Sequence, residues 1–262
     1  MKSILNGFLV AFSLYSAIPV PQVQWQKSTM RWALSFLPLI GIIIGVIEWF
    51  WYVFCSSFDA SPVLYSIISV IIPLIISGGI HLDGFCDTCD ALCSFGDLEK
   101  KLAILKDPHV GAFGPMWLMA FLLCEVAFFA QLYKTPKFLI VALLGFAIAR
   151  ACGGSKIVAV PCAKNSGLAH IFSQNSDKKI VLYTLILQAV VFFVIAGLLV
   201  YNISFGITTV EICFFVIFAW YFIHNMICKR IFSGITGDLA GFFISTSELI
   251  FIAVCAVGGM VL

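Results

Sequence analysis

The chain has 262 residues, 62% of them hydrophobic and 11% charged, and a mean hydropathy of +1.09. That is far more apolar side chain than a soluble domain needs to fill its core, so a water-soluble enzyme or binding module is excluded and a polytopic membrane protein is predicted. A formal net charge of +2, with no basic stripe interleaved with aromatics, speaks against a nucleic-acid partner.

Crossing about 30 Å of hydrocarbon takes roughly 17–25 apolar residues. In chain order, segments 33–54, 62–80, 113–132, 180–201, 203–227 and 243–262 meet that length. Segment 4–20 is short and ends at Pro19 and Pro21, and segment 138–152 carries Arg150 near its end, so either is open to being tilted, re-entrant or interfacial. The opening Met1-Lys2-Ser3 and its apolar run look like a signal peptide, but no small-x-small cleavage site precedes Pro19, and the run reads as a retained first segment. Ten cysteines sit mostly inside apolar segments, where they behave as small hydrophobes rather than as a disulfide framework. The expected fold is therefore all-α: one membrane-embedded helical bundle over 1–262, with about 6–8 transmembrane segments in a lipid bilayer.

Most connections are short. Segments 81–112 and 153–179 are long and dense in Asp, Lys, His, Gly and Asn, and with 228–242 they are the expected functional loops. If eight segments cross, Lys27, Arg31, Lys100, Lys101, Lys106, Lys156, Lys164, Lys178, Lys179, Lys229 and Arg230 fall on one side, against Lys2, Lys134 and Lys137 on the other. The basic side is expected to face the cytoplasm. All three loop regions share it.

Only thirteen residues are acidic. Three of them, Asp83, Asp87 and Asp90, follow His81 at the end of an apolar segment, within Gly78-Gly79-Ile80-His81-Leu82-Asp83-Gly84-Phe85-Cys86-Asp87-Thr88-Cys89-Asp90. At about 100° per residue the carboxylates fall near 0°, 40° and −20°, one stripe on a helix. Such a stripe repels itself without a cation, and hard carboxylate oxygens favour Mg²⁺, Mn²⁺ or Ca²⁺. His81 reads equally as a helix cap and as an active-site group. Cys86, Cys89 and Cys93 run through the stripe, but no second cysteine pair completes a four-thiolate set, and free thiols are expected.

Downstream, Lys106-Asp107 precedes Pro108, Gly111 and Gly114, and a cation there is suited to hold a pyrophosphate. Thr236-Gly237-Asp238 opens a second candidate site, with Glu248 inside the following apolar segment. Arg150, close to Gly153, Gly154 and Lys156, is placed either to snorkel to headgroups or to reach a phosphate.

The elements Gly79-Ile80-His81-Leu82-Asp83-Gly84 with Asp87 and Asp90, Lys106-Asp107 before Gly111 and Gly114, and Thr236-Gly237-Asp238 before Glu248 resemble the cobalamin synthase (adenosylcobinamide-GDP ribazoletransferase) family. Phe12 to Pro21, then Pro38-Leu39-Ile40-Gly41 and Gly45, extend the likeness nearly end to end, with Ala91 standing where that family often has Gly. The resemblance implies a Mg²⁺-dependent inner-membrane transferase in the last steps of cobalamin biosynthesis. A hydroxyl of α-ribazole, or of its 5′-phosphate, would attack the phosphorus joined to cobinamide in adenosylcobinamide-GDP, with GMP leaving. Combined with the residue pattern, it assigns Asp83, Asp87 and Asp90 to Mg²⁺ (or Mn²⁺), with Asp238 as a further ligand. Lys106, Arg150, Lys156 and Glu248 are assigned to substrate, and His81 or one of the acids, Asp83 or Asp87, to the proton. A homo-oligomer is left open.

Two other readings compete. CDP-alcohol phosphotransferases also place an acidic helix at a membrane boundary, but the Ala-Arg pair of their motif is missing after Gly84. A cation transporter would use Glu48, Glu125 and Glu248 as a path, and would put its acids at mid-membrane depth rather than at segment ends.

Overall fold

The structure, a computed structural model, describes residues 2–261. It is helical throughout, with no named strand among the described residues. Helix α1 (Lys2–Tyr15) and the short α2 (Lys27–Met30) lead through a 3-10 turn (Ala33–Phe36) into α3 (Leu37–Ser57). Pro38 sits in the first turn of α3, where its missing N–H costs nothing. Helix α4 (Pro62–Ser77) is capped by Ser61, whose hydroxyl accepts from the Leu64 N–H at 3.2 Å. Next come α5 (Ile80–Cys93), α6 (Leu98–Ile104), α7 (Phe113–Leu132), α8 (Pro136–Ala159), α9 (Leu168–Asn175), α10 (Lys178–Val200), α11 (Gly206–Phe232) and α12 (Gly237–Met260).

Among the described residues, six helical stretches are long and apolar enough to cross a membrane: 27–57, α7, α8, α10, α11 and α12. Between α4 and α5 the chain bends by 98°, and the pair counts as a seventh span only if taken together. The bend follows from two consecutive glycines in the left-handed region, Gly78 (φ 64°) and Gly79 (φ 77°), which end α4 and restart the chain in a new direction. Helix α5 therefore runs across one end of the bundle instead of along it.

Segment 138–152, doubtful as a crossing from its sequence, belongs to the 24-residue α8, which is buried along most of its length. It packs against α3, α10 and α12 at the centre of the bundle. Arg150 does not interrupt it, because the guanidinium is satisfied inside the protein rather than by water. Segment 4–20 behaves differently: α1 stops at Tyr15 and is too short to span. The expected loops 81–112 and 153–179 are largely helical, since α5, α6, the last turn of α8 and α9 fall within them. Large apolar side chains such as Phe50, Ile75, Met119, Leu187 and Phe215 point outward, as a lipid-facing surface requires.

One connection fixes the charged end. After α11 the chain turns through Ser233 and Gly234 (φ 57° and 152°), and Ile235 pairs with the strand-like stretch after α8. The Ile235 N–H donates to Pro161 O at 2.8 Å, and the Ala163 N–H to Ile235 O at 2.9 Å. The segment carrying Lys164 is thereby tied to the start of α12.

Candidate active site

Helices α5 and α12 meet through glycine. A Cβ at Gly84 would stand 2.8 Å from Asp238 O, and one at Gly241 would stand 3.1 Å from His81 O, so only hydrogen at both positions allows this approach. The contact sets Asp238, in the first turn of α12, against α5 at Gly84. Burial, and after it the negative charges of Asp83, Asp238 and Asp90, push Asp87 up to about 6. Asp238 accepts from the Thr236 hydroxyl at 3.3 Å, and Thr236 also caps α12 by accepting from the Leu239 N–H at 3.2 Å.

Among the described residues, the three acids expected to share a cation do not converge on one point. Asp90 is buried and its carboxylate is spent on backbone: Oδ2 accepts from the Gly111 N–H at 2.9 Å, and Oδ1 from the N–H groups of Phe113 and Gly114, each at 3.0 Å. It caps the N-terminus of α7 from a neighbouring helix, where a negative charge is favoured by the helix dipole. Asp83 is exposed and Asp87 half-buried, and with Asp238 they form an acidic wall. Among the described residues no three His, Cys, Asp or Glu side chains converge tightly enough to hold a cation by themselves. The wall nevertheless supplies hard oxygen donors and uncompensated negative charge, a set that suits a hard divalent ion completed by oxygens of a substrate.

Two cavities flank this wall and share Leu168, Ala169, Gly237 and Asp238. The first, of about 230 Å³, gathers Lys106, Lys164, His170 and Thr236 beside Asp238 among apolar neighbours and is the cationic cavity of the pair. Lys164 donates to Leu102 O at 2.7 Å, which anchors it at the rim. Burial, and after it the like charge of Lys106, lower its pKa, while Asp238 opposes the shift. The second cavity, of about 310 Å³, reaches into the bundle between α5, α8 and α12. Apart from Tyr15, His81, Asp83 and Asp238, its walls are aliphatic or glycine. His81 is buried, its ring lies alongside Tyr15 (centroids 6.5 Å apart, 21° between planes), and neither ring nitrogen has a partner among the described residues. Burial and then the charge of Arg150 hold this imidazole well below its usual pKa.

Of the residues expected to contact substrate, Lys106 is exposed on the cationic cavity. The other three are engaged elsewhere. Arg150 is bonded to Glu248, and also donates to Phe146 O at 3.0 Å, with both charged side chains buried. Lys156 is fully buried toward α11, donating to Tyr221 O at 2.9 Å and Asn225 Oδ1 at 2.6 Å, with its ammonium 3.8 Å from the Tyr221 ring centroid. None of the three lines either cavity. Glu48 and Glu125 are likewise buried mid-helix in α3 and α7, away from the acidic wall. Lys164, His170 and Tyr15 were not singled out from the sequence; the signal for Lys164 was its place in the basic segment facing the acidic stripe.

Residues 7–256 match the family model described as cobalamin-5-phosphate synthase. The chain belongs to that family. It is similar to an adenosylcobinamide-GDP ribazoletransferase of Lachnoclostridium phytofermentans, 36% identical over 94% of this chain and 91% of the relative. Proteins of the same name from Clostridium botulinum (strain Alaska E43 / Type E3) and Geobacillus sp. (strain WCH70) are 31% and 29% identical, covering 95% of this chain in each case and 96% and 94% of the relatives. No solved structure matches the chain. The family match takes in every wall of both cavities, from Tyr15 to Ile244.

Proposed function

We propose that this protein transfers α-ribazole, or its 5′-phosphate, onto adenosylcobinamide-GDP, forming adenosylcobalamin or its 5′-phosphate and releasing GMP. The observation that carries the reading is the junction at Gly237 and Asp238, where an acidic wall stands between a cavity bearing Lys106 and Lys164 and a second, largely aliphatic one. A diphosphate-linked donor needs cations to hold its charge and an adjoining space from which an acceptor can attack. Lys106 and Lys164 serve the first need.

In the reaction, a ribose hydroxyl oxygen of the acceptor forms a bond to the phosphorus that carries cobinamide. The bond from that phosphorus to the bridging oxygen breaks, and GMP departs with the electron pair. The hydroxyl proton passes to His81 or to an acid of the wall. Positioning supplies much of such a transfer, since little covalent chemistry falls to the protein. A divalent cation, Mg²⁺ or Mn²⁺, would be held by Asp83, Asp87 and Asp238 and would offset the negative charge of the diphosphate. The excess of Lys and Arg at the end of the bundle that bears the site supports an inner-membrane orientation with the site toward the cytoplasm.

The test is turnover by protein purified in detergent or liposomes, given adenosylcobinamide-GDP, α-ribazole and Mg²⁺, with GMP and corrinoid followed together. One GMP per corrinoid product is expected, abolished by EDTA and restored by Mg²⁺. Folded protein that releases no GMP overturns the assignment, and turnover that survives EDTA overturns the role of the metal alone.

A further inference from the structure

We infer that the 310 Å³ cavity between α5, α8 and α12 is the acceptor subsite, taking the flat, largely apolar base of the ribazole nucleoside while His81 hydrogen-bonds its ribose. The inference rests on the transferase reading above and assigns the two substrates to different cavities.

Size decides first. Ligand pockets run roughly from 300 to 1,000 Å³, and this one lies at the small end, with room for a nucleoside and none for a corrin macrocycle. Wall chemistry decides next. The wall is mainly aliphatic or glycine, and every donor or acceptor on a guanine edge that faced Leu34, Leu37, Ile157 or Ile244 would be left unpaired at a cost of about 1–3 kcal/mol. The dimethylbenzimidazole base of α-ribazole has no exocyclic polar group and a single free ring nitrogen, so it leaves far less unpaired there. The Tyr15 ring at the wall offers it an aromatic face.

His81 supplies the independent sign that a polar ligand group is expected. Its ring is buried on the wall of this cavity, and both nitrogens lack a partner. Buried polar atoms are nearly always satisfied, and two unpartnered ring nitrogens on one wall are what a ribose hydroxyl pair complements. A nucleoside with its base inward and its ribose at His81 brings its hydroxyls toward Asp83 and Asp238, the side on which the cationic cavity would hold the diphosphate.

The experiment narrows and widens the cavity and reads each substrate separately. Ala240→Leu should raise the KM for α-ribazole, and weaken its binding in equilibrium dialysis, by roughly ten-fold or more. The KM for adenosylcobinamide-GDP should stay within about two-fold, since the donor lies outside the cavity. Ile244→Ala should let the protein use a riboside of the wider naphthimidazole that the parent protein rejects. Shifts confined to the donor, or equal shifts for both substrates, overturn the inference, as does failure of the unaltered protein to bind α-ribazole. If the unaltered protein binds α-ribazole in an Ala240-sensitive way yet releases no GMP, the transferase reading fails and the subsite stands. If Ala240→Leu does not fold, the base selectivity of Ile244→Ala decides, and unchanged selectivity overturns the inference.

Discussion

Gly114 of α7 donates its backbone N–H to Asp90 of α5 at 3.0 Å, and a Cβ at position 114 would lie 2.8 Å from the same carboxylate. The acid and the glycine form one joint, in which the carboxylate replaces the missing carbonyls at the start of α7. Asp90→Asn should therefore lower stability by about 1–3 kcal/mol, because a buried charge-assisted acceptor of three N–H groups is lost. Thermal unfolding in detergent checks this. An Asp90→Asn protein as stable as the parent but inactive would return Asp90 to the chemistry.

Asp83 and Asp87 should respond in the opposite way. Neither is paired with a cation, and removing one of several repelling carboxylates costs the fold little. Asp83→Asn and Asp87→Asn should leave unfolding temperature unchanged or raised while cutting kcat by about 10²-fold or more, the scale of losing electrostatic stabilisation of a transferred phosphoryl group. Steady-state GMP release over a range of Mg²⁺ concentrations separates the effects: the half-saturating concentration should rise in both variants.

The contrast between these acids marks what was legible in the sequence. Helical spacing correctly put Asp83, Asp87 and Asp90 on one stripe of one helix. Spacing around the axis says nothing of distance along it, and seven residues separate Asp83 from Asp90 by about 10 Å. The far carboxylate thus meets a different neighbour, the Gly111–Gly114 turn. Asp238 was legible as a candidate from Thr236-Gly237-Asp238, but its approach to α5 depends on Gly84 and Gly241 packing across the helix pair, a contact between residues far apart in sequence. The partner of Arg150 was hidden for the same reason. A local window sees a charge near the end of a short apolar segment, whereas the fold supplies Glu248 from a helix 98 residues on.

That ion pair carries its own prediction. Both side chains are buried, so removing one partner strands the other's charge in the bundle. Glu248→Leu alone or Arg150→Met alone should destabilise by about 3–5 kcal/mol, and the two together should recover most of it. Unfolding measurements on the two single variants and the double variant complete the cycle. If Arg150 held a substrate phosphate, the double variant would be stable but would lose donor binding; retained KM for adenosylcobinamide-GDP is expected instead.

Lys164 gives the pH dependence. Its pKa is lowered by burial and by the like charge of Lys106, so it loses its proton at a lower pH than an ordinary lysine. An ammonium that holds diphosphate works only below that pKa, and the KM for adenosylcobinamide-GDP should rise as pH climbs through it, with KM for α-ribazole unaffected. Arginine stays charged throughout. Lys164→Arg should therefore flatten the alkaline limb, and Lys164→Met should raise the donor KM at every pH. An alkaline limb that survives Lys164→Arg would assign the titration to another group and remove Lys164 from the diphosphate site.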